Sequence, residues 1–249
     1  MTDWAKRYAQ AHLSNTPFDN VQGELADASI ADAYAIQSAF ADRLPGTRVG
    51  YKAALTAQPA QQSMDITEPV SGVLFDWGVR EAAAPVTAPR PILLETELGY
   101  RLNSDITAPV QPDSVLGLMA SCQPMIEIAS PNLAGKPSGV DLIAANAASY
   151  AFIEGAAHDV YSLDLDSISV TFTRNGSVLH HDSAASVLEG QSNALSWLIN
   201  HLLARAQPLQ RGMLLMTGAM GPPHPATSGS YRADFGPLGV IEFSVTGSG

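Results

Sequence analysis

Leu93-Leu94-Glu95-Thr96-Glu97-Leu98-Gly99-Tyr100 reads as a strand, and its alternation sets the frame for the rest of the chain. Leu94, Thr96, Leu98 and Tyr100 share one face. Glu95 and Glu97 share the other, about 6–7 Å apart along the strand. Two carboxylates at that spacing repel each other unless something positive lies between them. Taken alone, the pair is most simply a solvated outer face. Outward from this stretch the texture stays β-rich, with candidate strands at Val49–Leu55, Leu93–Leu102, Met125–Ala129, Ser167–Arg174, Ser177–His181, Gly212–Met216 and Val240–Val245. Asn175-Gly176 is a type I′ hairpin signal between two of them.

The helical signals lie mostly before the strands. Residues 3–13 place Trp4, Tyr8 and Ala11 at helical spacing, and residues 30–44 place Ala33, Ile36, Phe40 and Leu44 on one stripe. Ser29 and Asp32 form a capping-box-like start for the second helix, and Pro45-Gly46 stops it. A late helix at about 192–206 buries Leu195, Leu198 and Leu202, and residues 141–149 offer another short one. Helices first and then a β-rich body, without regular β-α alternation, predict an α+β fold. The expected organisation is a helical segment, 1–48, packed on a β-rich body, 49–249, as effectively one domain.

Composition narrows the function. The chain has 249 residues with only 15% charged, against roughly 25% in an average soluble protein. Thirteen basic and 24 acidic residues give a net charge of −11, which argues against nucleic acid and anionic membrane partners. Cys122 is the single cysteine, so neither an internal disulfide nor a thiolate zinc site is available. No apolar run reaches about 18 residues and no signal-peptide core opens the chain, so a cytoplasmic protein is expected. An acidic protein that binds anionic substrates needs a cation to hold them.

Two further residues bear on that need. Glu127 stands alone in the apolar run Pro124-Met125-Ile126-Glu127-Ile128, and glutamate is seldom buried unless paired or bound to a metal. Three glutamates from two strands would make an all-oxygen site suited to Mg²⁺ or Mn²⁺. Lys52 lies within an apolar strand and shares its face with the small residues Gly50 and Ala54. It reads either as a lysine snorkelling at a strand edge or as a cation that binds a carboxylate or shuttles protons. His180-His181 reads as surface on a hairpin arm, Gly221–Pro225 as a rigid loop, and Cys122 as a core thiol.

Together these residues carry a resemblance. Gly50-Tyr51-Lys52-x-x-Leu55-Thr56, Glu95-x-Glu97, Pro124-x-x-Glu127-Ile128 and Asn146-Ala147-x-Ser149 resemble the 2-oxopent-4-enoate hydratase family, within the fumarylacetoacetate hydrolase superfamily. Gly190 to Trp197-Leu198, Gly212-x-x-x-x-Thr217-Gly218-Ala219 and Phe235-Gly236-x-Leu238-Gly239 are similar to the C-terminal half of that family. The likeness runs in order from about residue 30 to the end.

The resemblance implies a mixed β-roll or sandwich of the superfamily's C-terminal-domain type, usually a homo-oligomer. It implies that Glu95, Glu97 and Glu127 hold Mg²⁺ or Mn²⁺. Lys52 and Asp76 would be catalytic, and Leu55, Ser149 and Thr217 would contact a 2-oxo acid. The implied activity is hydration of a 2-hydroxy-2,4-dienoate or 2-oxo-4-enoate in aromatic-compound catabolism. A 4-oxalocrotonate-type decarboxylase with the same metal site, or a non-catalytic relative that binds a 2-oxo acid, are the alternatives.

A C–C hydrolase of the acylpyruvate type fits less well, since no histidine occurs between His12 and His158 to supply its lid. The chain also departs from the family. It has Ala145-Asn146-Ala147-Ala148-Ser149 for Asp-Asn-Ala-Ser-Ser, Ala129-Ser130-Pro131 for Asp-Ser-Arg, and Gly190-Gln191-Ser192 for Gly-His-Pro.

Overall fold

Ser29 accepts a hydrogen bond from the Asp32 backbone while Asp32 accepts one from Ser29, closing a full capping box at the second long helix. The computed structural model describes residues 2–87 and 90–247. Helices α1 (Thr2–Ser14), α2 (Val21–Glu24) and α3 (Ile30–Ala41) precede β1 (Arg48–Ala54). Next come α4 (Gln58–Ser63), β2 (Val70–Phe75), β3 (Val79–Arg80), β4 (Leu93–Leu102) and β5 (Met119–Ala129). They are followed by α5 (Gly139–Ala144), β6 (Ala151–Glu154), β7 (Ser169–Arg174), β8 (Ser177–Ser183) and α6 (Gln191–Leu203). The chain ends with β9 (Leu214–Ala219), β10 (His224–Pro225), β11 (Gly229–Asp234) and β12 (Val240–Val245). This is the expected α+β architecture.

The larger sheet runs β2-β1-β9-β4-β5-β6-β3, with β10 added to β4, and the smaller runs β12-β11-β7-β8. In the larger sheet β1–β9 and β3–β6 are parallel and the other pairs antiparallel. This sheet curls. Leu74 of β2 packs in one cluster with Met125 of β5, Phe152 of β6 and Met216 of β9, although β2 and β6 lie near opposite ends of the strand path. The open edge is closed by Asn146, whose side chain accepts from Val73 N–H and donates to Val73 O as a neighbouring strand would. The outer face, with Leu94, Leu98, Tyr100, Ile126 and Ile128, joins a core that includes Phe172 and Phe243 of the second sheet and Leu195 and Leu198 of α6. Trp4, Tyr8 and Phe40 bring α1 and α3 into the same core. No helix among the described residues is long and apolar enough to cross a membrane.

Several elements differ from expectation. β2 is buried at every position, so it lacks the alternation that marks a half-exposed strand. β6 has only four residues, and β11 is built from weak strand formers around Tyr231. β5 starts six residues earlier than predicted and runs through Pro124, which β6 accommodates by beginning its pairing at Met125. The expected helix over 141–149 stops at Ala144. Asn146, Ala147 and Ala148 then take left-handed φ angles of 62°, 50° and 59°.

Candidate metal centre

The concave face of the larger sheet carries the chemistry. Register places Glu95 of β4 directly opposite Glu127 of β5, an unfavourable pairing of like charges unless something neutralises it. Glu97 follows on the same face of β4, and one carboxylate oxygen from each of the three glutamates lies within 4.8 Å of the others. Glu97 and Glu127 are fully buried and Glu95 half-buried, so the solvated-face reading of the Glu95–Glu97 pair is corrected. The alternation was right, but the face it defines is the inside of a curled sheet.

Lys52 reaches the same place from β1, opposite Met216 of β9 and Gly72 of β2. It is 2% exposed and its Nζ stands 2.7 Å from Glu127 Oε1, so it does not snorkel. Apart from that ion pair, both Glu127 oxygens and Glu97 Oε1 lack hydrogen-bond partners among the described residues. Glu97 Oε2 accepts from the Gly218 backbone N–H at 3.0 Å. Burial pushes the Glu95 carboxyl up to about 7, with Glu127 adding to the rise and Lys52 opposing it. Burial, then Glu127 and Glu95, hold Glu97 well above the carboxylate range. Burial works against the Lys52 ammonium, but Glu127, Glu95 and Glu97 outweigh it and keep it above its usual value. Fully ionised, three carboxylates against one ammonium would leave two excess negative charges in a buried site, which is why the metal-free fold favours protonation there. Orphaned oxygens, hard donors and that charge all fit one divalent cation.

Apolar groups flank the cluster on both sides. Leu74, Met125, Phe152, Leu214 and Met216 close one side, and Leu55, Leu93, Ala129, Leu142 and Ala148 gather at the other. Leu55 packs against that second group, at a left-handed φ of 54°. Ser149 follows Ala148 and spends its hydroxyl on Val73 O at the outer edge of β2.

Two expected site residues stand apart. Asp76 is exposed, accepts from the Trp77 N–H, and lies four residues along β2 and beyond from Gly72, about 13 Å from the level of Lys52. Thr217 is buried on the opposite face of the sheet, its hydroxyl 2.8 Å from Gln191 Oε1. The donor that does reach the cluster is its neighbour's backbone, Gly218 N–H, which no side-chain motif announces. His180 is also corrected: it is buried, 2.8 Å from His224 and 3.1 Å from Thr96 Oγ1 on the outer face, while His181 is exposed. Cys122 is a buried thiol, as expected, which burial pushes up to about 12.

A separate cavity of about 620 Å³ lies behind the β1–β2 pair, lined by Tyr34, Gln37, Tyr51, Ser71 and Arg205 among others. It has no acidic lining residue, and nothing in it matches the chemistry of the concave face.

No family model matches the chain. A 2-keto-4-pentenoate hydratase from Paraburkholderia xenovorans strain LB400 is 30% identical over 227 residues, which cover 88% of this chain and 84% of that protein. The fold matches a solved structure of 4-oxalocrotonate decarboxylase from Pseudomonas putida G7, complexed with magnesium and adipate, at a TM-score of 0.93 and 22% identity. That match covers 98% of this chain and 97% of the other. A fumarylacetoacetate hydrolase family protein from Yersinia pestis CO92 matches at a TM-score of 0.63 over 81% of this chain and 93% of its own, with 14% identity. With a relative this similar along most of both sequences, and a fold shared with a fumarylacetoacetate hydrolase family protein, the chain belongs to the 2-keto-4-pentenoate hydratase family.

Proposed function

We propose that this chain is a divalent-cation-dependent hydratase. It adds water to a 2-hydroxy-2,4-dienoate, or its 2-oxo-4-enoate tautomer, and gives a 4-hydroxy-2-oxo acid. The observation that carries this reading is the buried Glu95, Glu97 and Glu127 group, with orphaned oxygens and one lysine in contact. Those glutamates would hold Mg²⁺ or Mn²⁺. When bound, the cation would supply a Lewis acid that stabilises negative charge developing on the 2-oxo acid substrate.

The chain's own residues account for the rest. Lys52, cationic before a metal shares the carboxylates, binds the substrate carboxylate or donates a proton. Leu55, Leu93, Ala129, Leu142 and Ala148 keep water sparse around the reacting carbons and suit an apolar tail. Ser149 orients the substrate from the neighbouring segment. Asp76 and Thr217 take no direct part. Residues 1–48 act as a helical segment packed on the 49–249 body, in a cytoplasmic homo-oligomer.

One observation favours the decarboxylase as a second reading. A decarboxylase of this type needs an anchor for a second carboxylate. Arg90 is buried, has no acidic partner among the described residues, and shares a small cavity with Ser130 and Ser149. The deciding assay offers a freshly generated monocarboxylic 2-hydroxydienoate with Mg²⁺ or Mn²⁺. It should be consumed by water addition without CO₂ release. Rapid CO₂ release from 2-oxohex-3-enedioate, with no hydration of the monocarboxylate, would promote the decarboxylase.

A further inference from the structure

The Gly218 N–H that meets Glu97 is aimed by a bulge. Glu97 pairs with Ala219 and Gly99 with Met216, so Thr217 and Gly218 of β9 together oppose the single residue Leu98 of β4. Gly218 sits there at φ 113°, a conformation that favours glycine. A bulge adds local twist, and its direction is fixed only if something grips it. Thr217 provides the grip from the far face of the sheet. Its hydroxyl lies 2.8 Å from Gln191 Oε1 and 3.2 Å from Leu98 O.

Gln191 is itself immobilised. It is 1% exposed at the start of α6, and its Nε2 donates to Ala184 O at 2.8 Å. Its backbone N–H donates to Asp166 at 2.7 Å, and its Oε1 also accepts from Tyr100 OH at 3.0 Å. The hydrogen bond from Gly218 occupies Glu97 Oε2, leaving Oε1 without a partner. One oxygen is thus fixed and the other is free before any ion arrives.

We propose that Gln191, acting through Thr217, is a positioning residue for the metal site. It sets the Gly218 N–H and thereby turns Glu97 Oε1 toward the cation, touching neither cation nor substrate itself. The proposal rests on the reading of Glu95, Glu97 and Glu127 as metal ligands. Groups that orient a ligand from behind are generally worth 10–100-fold in metal affinity.

Two bonds to the same Gln191 oxygen give an internal comparison. Thr217→Val removes the bond that leads to Gly218, and Tyr100→Phe removes the one that does not. Mn²⁺ affinity is read by electron paramagnetic resonance of free Mn²⁺, and hydrogen exchange of the Gly218 amide is read in the metal-free protein. Thr217→Val should weaken Mn²⁺ about tenfold and speed Gly218 exchange, with Thr217→Ser restoring both. Tyr100→Phe should lower the metal-free Tm while leaving Mn²⁺ affinity within about twofold, outside the range expected for an orienting group. Gln191→Met, which leaves Thr217 only Leu98 O, should repeat the Mn²⁺ loss and decides the matter if Thr217→Val does not fold. Wild-type affinity in these variants, or an equal loss in Tyr100→Phe, overturns the proposal. A wild-type protein that binds no Mn²⁺ fails the metal reading itself, a different result from wild-type binding that the variants leave unchanged.

Discussion

Among the described residues Lys52 is the one cation paired with the glutamate cluster, through Glu127, and its removal should separate binding from chemistry. Lys52→Ala should cut kcat/KM at least about a hundredfold, the low end for a positioned proton-transfer group. Metal affinity should hold or improve, since a neighbouring positive charge is gone. Near-normal turnover would leave Lys52 without the catalytic role. Glu97→Gln should abolish divalent-cation binding with the fold retained, because it deletes an anionic ligand from a three-carboxylate set; titration calorimetry showing wild-type Mg²⁺ affinity would exclude the site. At this scale the sequence was informative where residue type and spacing carry the signal: Glu95 two residues from Glu97, Glu127 alone among isoleucines, Lys52 between small neighbours. It was silent where register decides. Nothing in Thr217-Gly218 tells that a bulge sends the hydroxyl to one face and the amide N–H to the other.

Strand packing leaves little slack near the site. At Gly72, beside Lys52 in the β1–β2 register, an added Cβ would fall 2.6 Å from Asn146 O in the left-handed segment that closes the curled sheet. Backbone cannot yield there cheaply. Gly72→Ala should therefore destabilise by roughly 1–3 kcal/mol, the usual cost of overpacking, and its urea midpoint should fall. An unchanged midpoint would mean that this segment is looser than its Asn146–Val73 hydrogen bonds indicate. β4, β12 and the capped helix were legible because each has a clean period or a cap. β2 was not, because a strand buried on both faces has no period to read.

The molecule as a whole carries a net charge of −11, and its concave face adds to the problem by burying carboxylates. Burial raises Glu95 to about 7, so the metal-free fold favours its protonated form. That contribution is complete below the unfolded value near 4.3 and is lost as pH climbs through about 7. Cation binding runs the other way, since ligands must be deprotonated. The gain in Tm on adding Mg²⁺ should accordingly be larger at pH 8 than at pH 5. With ligand at a hundred times Kd it would correspond to about 2.7 kcal/mol. Differential scanning calorimetry with and without a chelator at the two pH values checks this, and a gain that shrinks with pH contradicts it.

The position of β9 between β1 and β4 also dictates an order of assembly during synthesis. The β4–β5 pair is complete in sequence at residue 129, whereas β9 ends at residue 219, ninety residues later. At the usual pace of translation that interval is roughly 5–18 s. Until β9 slots in, the strand bearing Lys52 has no hydrogen-bonded link to β4 and reaches the acidic pair only through β2 and its Asn146–Val73 contact. All three glutamates and Lys52 are thus synthesised well before the strand that joins β1 to β4 and brings the Gly218 amide.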